Sequence, residues 1–176
     1  RDSIDKSEVR CPDLDASDTM IEHILKLKEE GNSAGGIISC GIRNPPIGIG
    51  EPCFDKLEAR LAMAMMSIPA TKGFEIGEGF GVATLTGKDN NDCYSYVDNS
   101  IKLQTNHAGG TLGGISTGSP IYFKVAVKPP SSIRATQHTC NMSGEMINYF
   151  TEGRHDPCVV HRAIAIVESM AALTLL

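Results

Sequence analysis

Three stretches of the chain carry side chains whose types and spacing can do chemistry. The first is His107-Ala108-Gly109-Gly110-Thr111-Leu112-Gly113-Gly114-Ile115-Ser116-Thr117-Gly118. Residues without a Cβ let backbone approach a ligand closely, and exposed N–H groups in such a run can cradle an anion. The same composition also builds an ordinary surface turn, and glycine content alone does not choose between the two. The run lacks the Lys-Ser/Thr ending of a Walker loop, so it does not imply a nucleoside triphosphatase. The second stretch is Lys128-Pro129-Pro130-Ser131-Ser132. A cation and two hydroxyls at a strand end suit a phosphate, although a strand-terminating loop asks for nothing more than this. The third is Gly153-Arg154-His155-Asp156-Pro157-Cys158, just before a helix opened by proline. Helix N-termini favour anions. Arg154 can grip a carboxylate or phosphate with two prongs. Asp156 can accept a proton or cap the helix, and local sequence favours the cap.

Other candidates read more simply. His155 beside Asp156 does not make a hydrolytic triad, because no Gly-x-Ser-x-Gly elbow is present. His23 and His138 read as surface residues, and His161 as a satisfied, partly buried histidine. Met63, Met65 and Met66 read as core packing. Lys72 either faces a ligand or is solvated.

The elements that must position these groups follow from periodicity and punctuation. Asp15 or Ser17 caps a helix with apolar positions Ile21, Ile24, Leu25 and Leu27, stopped by Gly31. Gly35 to Arg43 reads as a strand broken by Pro45-Pro46. The loop Ile47 to Pro52 leads into a helix from about Phe54 to Ser67, with Leu57, Leu61, Ala64 and Met65 on one stripe. Pro69 ends it. Gly73–Gly79 and Phe80–Leu85 read as paired strands. Lys88 to Thr105 reads as an exposed loop. Ile121 to Val127 is a strand closed by Pro129-Pro130. Ser131 to Met142 reads as extended, Met146 to Phe150 as a short helix or strand, and a last helix starts near Pro157. Strands and helices alternate without any short internal repeat, so a layered α/β or α+β domain is expected.

Composition sets the outer bounds. The 176 residues suffice for one domain with a core. The formal net charge is −5 and there is no Trp, which argues against non-specific nucleic-acid binding and base-stacking platforms. No apolar run approaches the roughly 20 residues that span a bilayer, and the polar start does not read as a signal peptide. Six cysteines without a C-x-x-C pair read as free thiols rather than disulfides or zinc ligands. A first residue Arg1 and an end inside an apolar helical pattern at Leu176 read as a piece of a longer protein.

Taken in order, several segments resemble chorismate synthases. They are Gly48-Ile49-Gly50-Glu51-Pro52 with Phe54-Asp55-Lys56-Leu57, then Met65-Met66-Ser67-Ile68-Pro69-Ala70, then Lys72-Gly73-Phe74-Glu75-Ile76-Gly77. Asn106 to Gly118, Ala126 to Ser132 and Gly153 to Val159 complete the series. The resemblance runs from about Val9 to the end. It implies an α+β fold, a portion of a β-α-β sandwich with helices between antiparallel sheets, and it makes residues 1–176 the C-terminal portion of that core. Family chains are roughly twice this length, near the upper size of a single core. The preceding half supplies two histidines and several arginines of the active site.

The implied activity is a carbon–oxygen lyase of the shikimate pathway of aromatic amino acid biosynthesis. It converts 5-enolpyruvylshikimate 3-phosphate to chorismate and phosphate by 1,4-elimination with reduced FMN. Carried over by position, flavin contacts are Pro69, Ala70, Gly113, Lys128, Pro129, Pro130, Ser131, Ser132 and Arg154. Arg154 also lies near substrate, and Asp156 is the acid that assists proton removal. Some relatives have Asn in place of Pro69 and Thr in place of Pro130. Any contact at Pro69 is then through backbone, and the phosphate role rests on Ser131 and Ser132. The resemblance further implies a homotetramer in the cytoplasm, or in a plastid if a transit peptide precedes the chain. No metal, nucleic-acid or membrane partner is expected. Two other classes of function stay open: a non-catalytic flavin- or phosphate-binding module, and an oligomerisation module.

Overall fold

Capping residues set the first helices in the computed structural model, which describes residues 2–176. α1 (Asp2–Lys6) precedes α2 (Leu14–Glu29). The cap of α2 is Asp13, one turn earlier than Ser17, with its carboxylate accepting from the Ala16 N–H at 3.1 Å. Asp15 falls in the first turn, where negative charge suits the helix dipole. Ser17 is buried, and its hydroxyl lies 2.7 Å from that of Ser7. At the other end the Asn32 N–H donates to Leu27 O at 2.7 Å and Gly31 has φ 70°, a left-handed stop of the kind glycine provides.

β1 (Gly36–Ile42) and then α3 (Leu57–Met66) follow. α3 starts later than its stripe suggests, because Cys53 and Phe54 both take left-handed φ, 58° and 60°. It packs against β2 (Thr71–Ile76) and buries Leu57, Leu61 and Met65, four residues apart on one helix face. The expected strand over Phe80–Leu85 is instead a 3₁₀ turn spanning Gly79–Thr84. Its backbone is satisfied locally, Gly81 N–H to Glu78 O and Leu85 N–H to Val82 O, so it has no ladder to join.

The expected loop over Lys88–Thr105 is also structured. It holds α4 (Gly87–Asn90) and an antiparallel hairpin of β3 (Tyr94–Val97) and β4 (Ser100–Leu103). Asp98 and Asn99 close the hairpin with φ 51° and 57°, the two positive φ values that match a two-residue turn to strand twist. β5 (Thr111–Leu112) and β6 (Ile115–Ser116) make a second small hairpin. β7 (Ile121–Val127) then runs as expected. It is the middle strand of a three-stranded sheet ordered β1-β7-β2. Ile121, Phe123, Val125 and Val127 are buried, and Tyr122, Lys124 and Ala126 point to the other face, the period of two of a strand with one covered side. The Phe123 ring sits 5.4 Å from that of Phe74. β8 (Gln137–Cys140) and β9 (Met146–Tyr149) form a third antiparallel hairpin, which decides the segment after Glu145 for strand.

The last helix, α5 (Val160–Leu175), buries Ala163, Val167 and Ala171 at successive turns. It starts three residues beyond Pro157, so Asp156 is not at its cap position. The fold is α+β. The chain divides into two compact units. One runs through Gly36 and resumes over Val127–Ile164; the other is Ile37–Ala126 with Ala165–Leu176. All six cysteines are free. Burial, and after it the charge of Glu168, pushes the Cys40 thiol up to about 11, which removes it from consideration as a nucleophile. Among the described residues no helix is long and apolar enough to cross a membrane, and no cluster of metal-ligating side chains occurs.

Candidate functional site

Within the first unit, a short stretch after α2 ties distant segments together. Gly31 O accepts from Arg134 N–H at 2.9 Å and from Ala135 N–H at 3.0 Å. The Ser33 hydroxyl donates to Pro130 O at 2.7 Å, and Ala34 N–H donates to Pro157 O at 2.7 Å. These bonds hold the loop after β7 and the loop before α5 on either side of one stretch of backbone. Between them lies a cavity of about 400 Å³ lined by Lys28, Gly31, Asn32, Ser132, Ile133, Arg134, Gly153, Arg154, His155, Asp156 and Pro157. Three of the predicted site residues, Ser132, Arg154 and Asp156, therefore share one cavity. Lys28, Asn32 and Arg134 join them without having been singled out in the sequence.

The charge of this cavity is unbalanced. Lys28, Arg134 and Arg154 are cationic, and Asp156 is the acid among the lining residues. Asp156 Oδ2 accepts from Arg162 Nη1 at 2.7 Å, while its Oδ1 has no partner among the described residues. Arg154 has no side-chain partner among the described residues either. The His155 ring Nε2 lies 2.9 Å from Glu152 O, which orients the imidazole along its own loop. Next to the cavity Lys128 Nζ donates to the Ser131 hydroxyl at 3.0 Å, so a cation and a hydroxyl stand together at the end of β7. The Pro130 carbonyl is committed to the Ser33 hydroxyl.

Pro69, Ala70 and Gly113 belong to the second unit. Pro69 and Ala70 are the middle of a tight turn from α3 to β2, closed by the Thr71 N–H to Ile68 O bond. Ala70 holds φ 70°, the position of a type II turn that usually takes glycine. Gly113 sits at the tip of the β5–β6 hairpin with φ 61°, and a Cβ built there would meet nothing within 4 Å. Gly109, in the same run, is used differently. A Cβ there would lie 2.4 Å from Gly77 N, so it is a close backbone crossing. The run is thus partly a packing device, and Gly113 is its open face.

Asp92 organises the start of the run. Its side chain is 11% exposed. Oδ1 accepts from His107 N–H at 2.8 Å and from the Thr105 hydroxyl at 2.6 Å, and Oδ2 accepts from Ala108 N–H at 2.9 Å. Burial works to raise its pKa, but the hydrogen bonds from Thr105, Ala108 and His107 prevail and hold it below the usual carboxylate range. A second cavity, of about 300 Å³, lies nearby, lined by Glu75, Ile76, Gly79, Phe80, Val82, Asn90, His107 and Ala108. Glu75 accepts from Lys124 Nζ at 2.9 Å; that bond first, then the Phe80 N–H, lowers its carboxyl, and the same bond raises Lys124. The buried Nδ1 of His161 has no partner among the described residues, contrary to the satisfied histidine expected there.

The α+β fold carries, within its first unit, a cavity at the junction of two loops lined by three cations and one acid. Comparison with known proteins narrows this. The family model of chorismate synthase matches residues 1–176. The chorismate synthase of Synechococcus sp. (strain RCC307) is 51% identical over 175 residues, covering 99% of this chain and 49% of that protein. That of Agathobacter rectalis is 50% identical over 164 residues, covering 93% and 45%. A crystal structure of chorismate synthase superposes with a TM-score of 0.80 at 30% identity, covering 99% of this chain and 45% of that one. The chain belongs to the chorismate synthase family, and it spans about half the length of the curated relatives it matches.

Proposed function

We propose that the chain is the C-terminal portion of a longer chorismate synthase, a lyase that converts 5-enolpyruvylshikimate 3-phosphate to chorismate and phosphate. The observation that carries this reading, beyond family membership, is the meeting of Ser132, Arg154 and Asp156 in one cation-rich cavity. The elimination breaks an allylic C–O bond and a C–H bond and forms one C=C bond. The leaving phosphate takes both electrons of the C–O bond, and a base takes the proton. A dianionic phosphate and a carboxylate must be held on the way, which is what Lys28, Arg134 and Arg154 supply in charge.

Reduced FMN is the cofactor on this reading, and the residues present fit it. Lys128 beside Ser131 offers a cation and a hydroxyl to a phosphate, and the unfilled side of Gly113 leaves room for close backbone approach. Lys128, Pro129, Pro130, Ser131, Ser132 and Arg154 would hold it; Pro69, Ala70 and Gly113 are contacts proposed from the family resemblance alone. When bound, the flavin supplies electron density that helps the allylic phosphate leave. The chain's own residues do the rest. Arg154, unpartnered among the described residues, is free to close on an anionic oxygen. Asp156 Oδ1 is the open acceptor for the departing proton. Excluding water from the cavity strengthens both interactions. Assembly as a homotetramer and a cytoplasmic location belong to the same proposal.

The test compares the 176-residue chain with the full-length protein that carries it, in an assay of phosphate release with chemically reduced FMN and substrate. The full-length protein should turn over, and the isolated chain should not, because catalytic groups that act together do not retain proportional activity when some are removed. Robust turnover by the isolated chain would overturn its assignment as a portion, and absence of turnover by the full-length protein would overturn the activity.

A further inference from the structure

The loop from Gly153 to Pro157 carries one arginine and one acid, and the fold treats them unequally. Arg154 has no side-chain partner among the described residues, while Asp156 is tied to Arg162 through a 2.7 Å bond from Nη1 to Oδ2. Arg162 stands in the first turn of α5, and the adjacent Ala163 is buried. The first turn is further fixed by Arg162 N–H and Ala163 N–H, both donating to Val159 O at 3.1 Å. The carboxylate is thereby referenced to a rigid helix and not only to its own loop. The bond also occupies one oxygen, so that the other, Oδ1, is the one left to meet a ligand in the cavity.

Energetics separate this role from a stabilising one. The Arg162 side chain is 61% exposed and that of Asp156 is 35% exposed, and pairs of that exposure contribute little to folding. A bond that adds little stability yet holds a carboxylate that lines a cavity points to what that side chain does there. We infer that Arg162 is a positioning residue for the proposed reaction, acting through Asp156 by fixing the carboxylate so that Oδ1 faces the departing proton. This rests on the assignment of Asp156 given above.

The experiment is a double-mutant cycle in the full-length protein with reduced FMN, using Arg162→Gln, Arg162→Lys, Asp156→Asn and the Arg162→Gln/Asp156→Asn pair. For each, kcat, KM, melting temperature and FMN affinity are measured. Misplacing a reacting group costs about 100-fold, so Arg162→Gln should lower kcat by roughly 10- to 100-fold. KM, FMN affinity and melting temperature should stay near the starting values. Arg162→Lys should recover part of the loss, since a single ammonium can replace one of the guanidinium's donors but not its fork. The double variant should be no slower than Asp156→Asn alone, because a residue that acts through another has nothing left to position.

Losses that multiply in the double variant would overturn the inference. So would a tenfold rise in KM with unchanged kcat, which would make Arg162 a substrate ligand. A fall in melting temperature that accounts for the lost activity would make its role structural and overturn it too. Normal turnover in Asp156→Asn would sink the assignment of Asp156 itself, and the inference with it. Normal turnover in Arg162→Gln beside a slow Asp156→Asn would sink the positioning role alone.

Discussion

Asp92 stands in a segment that sequence reads as an exposed loop, Asp156 in one that sequence marks as chemically interesting, and the fold uses their carboxylates in opposite ways. Asp92 is nearly buried and spends both oxygens on the protein: two backbone N–H groups and one hydroxyl. Asp156 is more exposed and spends one oxygen, on Arg162. A carboxylate whose acceptor capacity is consumed by its own chain shapes that chain. One with an oxygen left over beside cations and a cavity is available to a ligand. The contrast also divides the two glycine-containing regions. The run tied down by Asp92 is largely architecture, with Gly113 as its open point, and the loop from Gly153 to Pro157 is where Arg154, without a side-chain partner among the described residues, stands with Asp156 on one cavity.

The largest expected effect tests the free carboxylate. Asp156→Asn in the full-length protein should cut turnover by about 100- to 10,000-fold, the range for losing a positioned acid–base group. Its melting temperature should hardly move, because the side chain keeps its size and its bond to an exposed arginine is worth little. Near-normal turnover at saturating reduced FMN would place Asp156 with the structural acids and erase the contrast.

Asp92→Asn should do the reverse. The amide nitrogen would face an N–H donor, either that of Ala108 or that of His107, and leave it unpaired. Such a loss costs about 1–3 kcal/mol, which should lower the melting temperature by several degrees while FMN affinity per folded molecule persists. An unchanged melting temperature would mean that the loop from Thr105 to Ala108 holds itself together without this acid.

Acid should reach Asp92 in a defined sense. Its folded value is depressed, so the stability it contributes is fully present above the unfolded carboxylate value of about 3.9 and is lost as pH falls through the depressed folded value. Melting temperatures of the parent protein should therefore decline below about pH 4, and Asp92→Asn should decline less over the same window. Parallel curves would assign the acid sensitivity to other groups, Glu75 being the next candidate since its carboxyl is lowered as well.

The smallest effect belongs to Gly113. Its φ of 61° and open surroundings make Gly113→Asn a better probe than a branched residue, since Asn followed by Gly114 suits a two-residue hairpin turn. The fold should be retained. Flavin affinity should drop about tenfold, some 1.4 kcal/mol, if backbone at this point meets the cofactor. Unchanged affinity would remove Gly113 from the proposed site and make the run wholly architectural.

Much of this was legible in the sequence where one physical signal acted alone. β7 announces itself through strict alternation, and α3 through Leu57, Leu61 and Met65. The loops around Ser132 and Arg154 stood out by composition and by resemblance. What was hidden needed tertiary information. Lys28 reads as a basic residue in the last turn of an amphipathic helix, and nothing local says that it faces Arg134 and Arg154 across a cavity. Asp92 sits among Asp89, Asn90 and Asn91, so its polar neighbourhood suggested solvent rather than burial. The β3–β4 hairpin was readable in principle, since Asp98-Asn99 lies between Tyr94-Ser95-Tyr96-Val97 and Ser100-Ile101-Lys102-Leu103. The polar residues before it masked that pattern. Phe80–Leu85 misled because apolar residues around glycines look like a strand, and only the 3₁₀ bonds show that the backbone is already satisfied.

The bond between Ser33 and Pro130 joins residues 97 positions apart, and this distance has a consequence for biosynthesis. The first unit is interrupted in sequence by the second, so α2 leaves the ribosome long before the segments it must hold. A ribosome adding roughly 5–20 residues per second needs roughly 6 to 25 seconds to travel from Ser33 to Pro157. During that interval the second unit's strands and α3 can already pair and pack. The cation-rich cavity is therefore among the last local structures able to form on the nascent chain, and closing it costs the loop entropy of the whole intervening segment. That cost grows only slowly with length, about 0.6 kcal/mol per doubling. Order of synthesis thus places the pairing of the second unit's strands ahead of the closing of this cavity.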